Sequence, residues 1–294
     1  MCDQDHYDDD LKEYKDRAAL SRRQFGAMSL GVGAAFLLPR SADAQAVTER
    51  DVAIKTPDGT CDAYFVHPAK PSAAVLIWPD ILGLRPAFKQ MGKRLAESGY
   101  TVLVVNPFYR MKPAPVVPDG SKFSDPETRK VLMGFAGSIG GPDAATKQAS
   151  DARAFISWLD AQPQVDKRRK IGTTGYCMGG PIVFRTAAAV PDRVGAVGSF
   201  HGGGLTTKNP DSPHLLIPQT NASYLIAIAD NDDKREPESK NILRQAFDAA
   251  KKNAEIEVYP AAHGWCPPDA EVYDEKQAEK AWSRMMEMFK KSLA

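Results

Sequence analysis

The run AAVLIWP, Ala73 to Pro79, constrains this chain more than any other stretch. Every position from Ala73 to Trp78 is apolar, without alternation, yet the run is only as long as a strand. A strand that is apolar on both sides belongs to a sheet covered on both faces, the habit of parallel sheets. YTVLVVNP, Tyr100 to Pro107, reads the same way. Between the two, PAFKQMGKRLAESG (Pro86 to Gly99) has helical spacing and stops at a glycine.

The alternation continues. Strand-like RKIGTTGYC (Arg169 to Cys177), VGAVGSFHGG (Val194 to Gly203), SYLIAIAD (Ser223 to Asp230) and IEVYP (Ile256 to Pro260) are separated by helix-like segments. Those helices are expected at Ala145 to Gln162, Met178 to Pro191 and Pro237 to Asn253, with a closing helix over Asp274 to Leu293. CDAYFVHP, Cys61 to Pro68, reads as an early strand. Strands that alternate with helices imply an α/β fold, a mostly parallel central sheet with helices on both faces. One domain over residues 47–294 accommodates it. Residues 110–141 fit the alternation poorly, and the Pro- and Gly-rich segment, with helix-like PETRKVLMGF inside it, is expected to cap one end of the sheet.

Residues 1–46 have another character. SRRQF (Ser21 to Phe25) precedes the apolar run Gly26 to Leu38, and then comes RSADAQA (Arg40 to Ala46). A basic start, an apolar middle and a small-residue end are the order of an export signal. The paired Arg22 and Arg23 resemble a twin-arginine signal, with cleavage after Ala44 or Ala46. The expectation is export through the twin-arginine machinery to the periplasm or another extracytoplasmic space. The alternative is a cytoplasmic protein with an irregular tail, which acidic DQDHYDDD near the start favours.

Charge and cysteine content remove several classes. A net charge of +1 without a single-sign block speaks against a nucleic-acid partner. The cysteines are Cys2, Cys61, Cys177 and Cys266, none at metal-ligand spacing, so no metal site is expected. Neither a C-x-x-C pair nor a G-x-G-x-x-G after a strand is present, which disfavours a redox or dinucleotide enzyme. Loss of Cys2 with a leader leaves an odd count, so at least one thiol stays free, and Cys61 with Cys266 is the pair that could close.

The chemistry concentrates in TGYCMGG, Thr174 to Gly180. Gly175-Tyr176-Cys177-Met178-Gly179 has the form G-x-nucleophile-x-G between an expected strand and an expected helix. Such a turn exposes a nucleophile on strained backbone, with glycines leaving room for it. The helix start aims N–H groups at the thiol, which favours thiolate and a developing oxyanion. A thiol nucleophile needs a base, and the base an orienting acid. An α/β-hydrolase orders these nucleophile, acid, histidine. His263 in YPAAHGW lies on the loop after the last strand, where that base belongs. His201, after VGAVGSF, is a lesser candidate base and a candidate pocket residue, whereas His214 between prolines reads as structural. Asp230, Asp232 and Asp233 end SYLIAIAD and are the candidate acids. Asp80 in WPDILGL sits at the carboxyl edge of a strand, where open sheets collect ligands. The backbone N–H of Met178 and of Ile81 are the expected oxyanion donors.

Taken together, these segments resemble the dienelactone hydrolase family over about Val52 to Leu293. GYCMGG is similar to its nucleophile elbow, with cysteine in place of serine. DILGLRPAFKQMGKRLAESGYTVLVVNPFY resembles its first loop, helix and second strand, IADNDD its acid turn, and YPAAHGW its base loop. The resemblance implies an α/β-hydrolase fold and a Cys177–His263–Asp232 triad. It implies hydrolysis of small esters or lactones of the dienelactone kind through a thioester, with no cofactor. Asp80 stands where the family has a glutamate that tunes the resting thiol. The family's substrate-binding arginines point to Arg110 and, more weakly, Arg85. Tyr109, His201 and Trp265 are further candidates for substrate contact. The alternatives are a general carboxylesterase or acyl-transfer enzyme, and a non-catalytic periplasmic protein that keeps the fold. A monomer and a dimer fit equally well.

Overall fold

The structure is a computed structural model that describes Leu11, Lys12, Tyr14, Leu38, Pro39 and residues 44–294. Arg22, Arg23, most of the apolar leader-like run and Cys2 lie outside the described residues.

The sheet has eight strands in the order β1-β2-β4-β3-β5-β6-β7-β8. β1 (Val47–Thr56) and β2 (Gly59–Pro68) form an antiparallel hairpin, and β2 runs antiparallel to β4 (Thr101–Val105). β4, β3 (Ala74–Trp78), β5 (Ile171–Tyr176), β6 (Val194–Phe200), β7 (Ser223–Ala229) and β8 (Ala254–Tyr259) are mutually parallel. β3 and β4 are buried at every position, as their unbroken apolar runs require. β1 was not expected from the sequence: six of the ten residues of VTERDVAIKT are charged or polar, because a partly exposed edge strand has little apolar face to show.

Strand parity assigns the helices to faces, since successive side chains point to opposite sides of a sheet. Leu76, Trp78 and Leu103 point to one face. There they pack with Phe155 and Leu159 of α3 (Ala144–Asp160), Val183 and Phe184 of α4 (Gly179–Ala189), and Leu243 and Phe247 of α6 (Ser239–Ala249). Val75, Ile77, Val102 and Val104 point to the other, against Phe88 and Leu95 of α1 (Pro86–Glu97) and Met285 and Phe289 of α7 (Glu275–Ser292).

A third apolar cluster lies apart from the two core layers. Val116, Val117, Phe123 and Leu132 pack on Ile81 and Phe108, with Met178 at its margin. Leu132 belongs to α2 (Pro126–Ile139), which Pro126 starts and Gly140 ends. The irregular segment thus sits where a cap was expected, against the two residues whose N–H groups were read as oxyanion donors.

Candidate active site

β5 ends at Tyr176, α4 begins at Gly179, and Cys177 occupies the turn between them with φ 52°. A non-glycine residue in this left-handed region is strained by about 1–3 kcal/mol and persists only where its surroundings fix it. Here the Cys177 N–H donates to Phe200 O and to His201 Nδ1, each at 3.1 Å. The flanking glycines are steric requirements. A Cβ on Gly175 would lie 2.1 Å from Gly179 O, and one on Gly179 would lie 2.5 Å from Trp78 O. The elbow is therefore pressed onto the end of β3, immediately before Pro79 and Asp80. Cys177 itself is only 6% exposed.

The candidate acid and base approach from the ends of β7 and β8. α5 (Asp230–Arg235) follows β7 directly and carries all three candidate acids. Asp233 is taken by Lys240 at 2.6 Å, and Asp230 faces Lys234 at 2.8 Å. Asp232 Oδ2 is the one that meets His263, 2.7 Å from Nδ1. Two more bonds fix the base loop after β8: the His263 N–H donates to Asn231 Oδ1 at 2.8 Å, and the Asp230 N–H to Ala261 O at 3.0 Å.

His201 joins the two halves. It is fully buried, at φ 41°, and its ring centroid lies 5.1 Å from that of His263 and 5.1 Å from that of Trp265. Burial lowers its pKa well below the ordinary histidine value, and the neighbouring His263 pushes the same way. The imidazole is thus neutral, and because Nδ1 accepts from Cys177, its proton sits on Nε2. One side chain touches both the Cys177 backbone and the ring of the candidate base. His214 instead bonds Ser212 Oγ at 2.9 Å within its own loop.

The other expected residues are placed differently. Trp265 is fully buried, stacked on Tyr259 with centroids 5.3 Å apart, and backs His201. Tyr109 Oη bonds Thr56 Oγ1 and Asp151, each at 2.7 Å. Arg110 pairs with Asp151 at 2.8 Å and Asp58 at 2.6 Å, so both residues tie the β1–β2 turn to α3. Burial raises the Asp151 pKa against the pull of Arg110 and Tyr109. Asp80, expected to tune the thiol, accepts at Oδ1 from Arg85 Nη1 at 2.6 Å and from the Leu82 N–H at 2.9 Å, and at Oδ2 from Arg85 Nη2 at 3.0 Å. Arg85 in turn holds Asp269 through Nε at 2.7 Å and Nη2 at 2.9 Å. Burial alone would lower the Arg85 pKa; the two aspartates outweigh it and raise it.

Cys61 and Cys266 do not pair. The sheet separates them: Cys61 belongs to the core layer of α3 and α4, Cys266 to that of α1 and α7. Burial raises the pKa of each thiol above the ordinary cysteine value. Among the described residues, no three His, Cys, Asp or Glu side chains gather as metal ligands.

Two residues escaped the sequence reading. Asn231 was visible inside the acid turn, but only the fold shows its amide holding the His263 backbone. Asp269, in CPPDAEVYD, carried no local signal, because its partner Arg85 lies far away in the chain.

Comparison with known proteins gives the family. The sequence model of the "Dienelactone hydrolase family" matches residues 61–293. The chain is 29% identical over 235 residues to the "Putative carboxymethylenebutenolidase" of Escherichia coli (strain K12), covering 78% of this chain and 81% of that protein. It is 26% identical over 254 residues to the "Carboxymethylenebutenolidase" of Rhodococcus opacus, covering 81% and 90%. The crystal structure of the "Putative Dienelactone Hydrolase" of Klebsiella pneumoniae superposes with a TM-score of 0.69 at 26% identity, covering 84% of this chain and 99% of that one. An eight-stranded, mostly parallel sheet, an elbow cysteine and a family match over nearly the whole described domain make one conclusion: the chain belongs to the dienelactone hydrolase family and is a hydrolase acting on lactone or ester bonds.

Proposed function

We propose that this hydrolase cleaves small esters or lactones, of the dienelactone kind, through a Cys177–His263–Asp232 triad and a thioester intermediate. The reading rests above all on Cys177, a non-glycine residue at φ 52° on the strand-to-helix turn. The His263–Asp232 pair at 2.7 Å supports it.

In the first step the Cys177 thiol gives its proton to His263 and the sulfur attacks the substrate carbonyl carbon, the carbonyl π electrons moving to oxygen. The N–H groups of Met178 and Ile81 stabilise that oxyanion. Collapse re-forms the carbonyl and breaks the bond to the leaving oxygen, which takes a proton from His263; in a lactone the leaving alcohol stays in the same molecule. Water then gives a proton to His263 as its oxygen attacks the thioester; the C–S bond breaks, the carboxylic acid forms, and the departing sulfur takes the proton back from His263. Asp232 holds His263 Nδ1–H so that Nε2 faces the proton traffic. Small, strained or activated substrates suit a thiol, because hydrolysis of the thioester is the slower half. The apolar Ile81, Met178 and Leu132 cluster favours apolar acyl groups over the reacting carbon. The reaction as written uses protein groups alone, and export by the twin-arginine route remains part of the proposal.

The test is hydrolysis of p-nitrophenyl acetate and cis-dienelactone by wild type and Cys177→Ala. Cys177-dependent turnover is expected; equal activity in both proteins sinks the mechanism.

A further inference from the structure

Arg85 is a buried side chain whose donors are all used. A guanidinium has five N–H groups. Nε–H goes to Asp269 Oδ2, Nη1 serves Asp80 Oδ1 and Gly83 O, and Nη2 serves Asp80 Oδ2 and Asp269 Oδ1. These acceptors belong to two different loops of the site. Asp80 and Gly83 bracket Ile81 in the loop after β3; Asp269 follows His263 in the loop after β8. The guanidinium also lies 5.0 Å above the Phe88 ring, which meets Tyr176, the neighbour of Cys177, at 5.3 Å.

We propose that Arg85 is a positioning residue, a clamp that holds the Ile81 side of the oxyanion site in register with the loop of His263. The inference rests on the hydrolytic reading above. It gives Asp80 a defined task. Asp80 accepts from the arginine fork through both oxygens and from the Leu82 N–H through Oδ1, so the carboxylate fixes the shape of the oxyanion loop. A lysine at position 85 supplies the charge but not the planar double fork, and therefore bridges only one aspartate well.

Two reactions of the same thiol separate this role from a general packing role. Ester hydrolysis needs the thiolate and the oxyanion donors; alkylation by iodoacetamide needs only the thiolate. The full-length protein is compared with Arg85→Lys, Asp269→Asn and Cys177→Ala, following p-nitrophenyl acetate turnover and the iodoacetamide rate at Cys177. Arg85→Lys is expected to lower kcat on the order of 10²-fold, with Asp269→Asn in the same direction, because displaced oxyanion donors act on the transition state. KM and the alkylation rate stay near wild type, and Asp269→Glu restores part of kcat. Asp269 is 29% exposed at its side chain, so its substitution tests the clamp even where Arg85→Lys folds poorly. Wild-type kcat in both clamp variants overturns the proposal while leaving the triad standing. Parallel loss of hydrolysis and alkylation also overturns it, since the effect is then on the thiol or the packing. Wild type no faster than Cys177→Ala overturns the hydrolytic reading and the clamp with it.

Discussion

At the scale of single residues, the site is a set of strained or saturated groups held by their neighbours. Asp232→Asn is expected to lower kcat by about 10²- to 10⁴-fold with little change in KM, because His263 loses its orienting carboxylate; steady-state kinetics on p-nitrophenyl acetate reads this. Gly179→Ala is expected to abolish activity, since the added methyl lies 2.5 Å from Trp78 O and the elbow cannot close. Circular dichroism with iodoacetamide labelling shows whether the turn or the whole fold is lost. His201 gives a pH signature. Its folded pKa is depressed by burial, so it stays neutral while the unfolded chain takes up a proton. Its contribution to stability is thus complete above the unfolded value of about 6.5 and is lost as pH falls below it, by up to about 1.4 kcal/mol per pH unit. Urea midpoints at descending pH are expected to fall less steeply in His201→Gln than in wild type. As candidates, Cys177, the turn of Asp230 to Asp233 and His263 were legible in the sequence because each follows a recognisable strand. The commitments of Asp80, Arg85 and Asp269 were not, since an ion pair across two loops leaves no periodic trace.

At the scale of elements, strand parity separates structure from cap. Leu103 is fully buried in the layer of α3 and α4, and Leu103→Ala is expected to cost about 2–5 kcal/mol by denaturant unfolding. Leu132 is equally buried but belongs to the small cluster over Ile81. Leu132→Ala is therefore expected to act on substrate handling, raising KM for apolar esters, and to leave the cooperative transition of the sheet in place; kinetics and unfolding of one preparation decide between the two. β3 and β4 were legible because burial on both faces leaves continuous apolar runs. β1 was not, because its edge position lets charged residues interrupt the pattern. α2 was seen as a helix with no assigned place, and only the fold puts it against Ile81 and Met178.

At the scale of the whole molecule, the sheet is both scaffold and divider. It keeps Cys61 and Cys266 in opposite core layers. Non-reducing peptide mapping of the folded protein is expected to return both as free thiols; a Cys61–Cys266 linked peptide would contradict the fold. The same sheet delivers Cys177 after β5, Asp232 after β7 and His263 after β8 to one carboxyl edge, where parallel strands all end on the same side. The sequence by itself determined the class of fold, the order of β2 to β8 along the chain and the candidate nucleophile, acids and base. These are local properties, set by apolar runs, glycine spacing and the residues that follow each strand. The tertiary structure decided which aspartate meets His263, that His201 is buried against both Cys177 and His263, that Cys61 and Cys266 stay apart, and that Asp80 belongs to Arg85. Each of those outcomes depends on groups distant in the chain competing for the same partner in space, and only packing settles that competition.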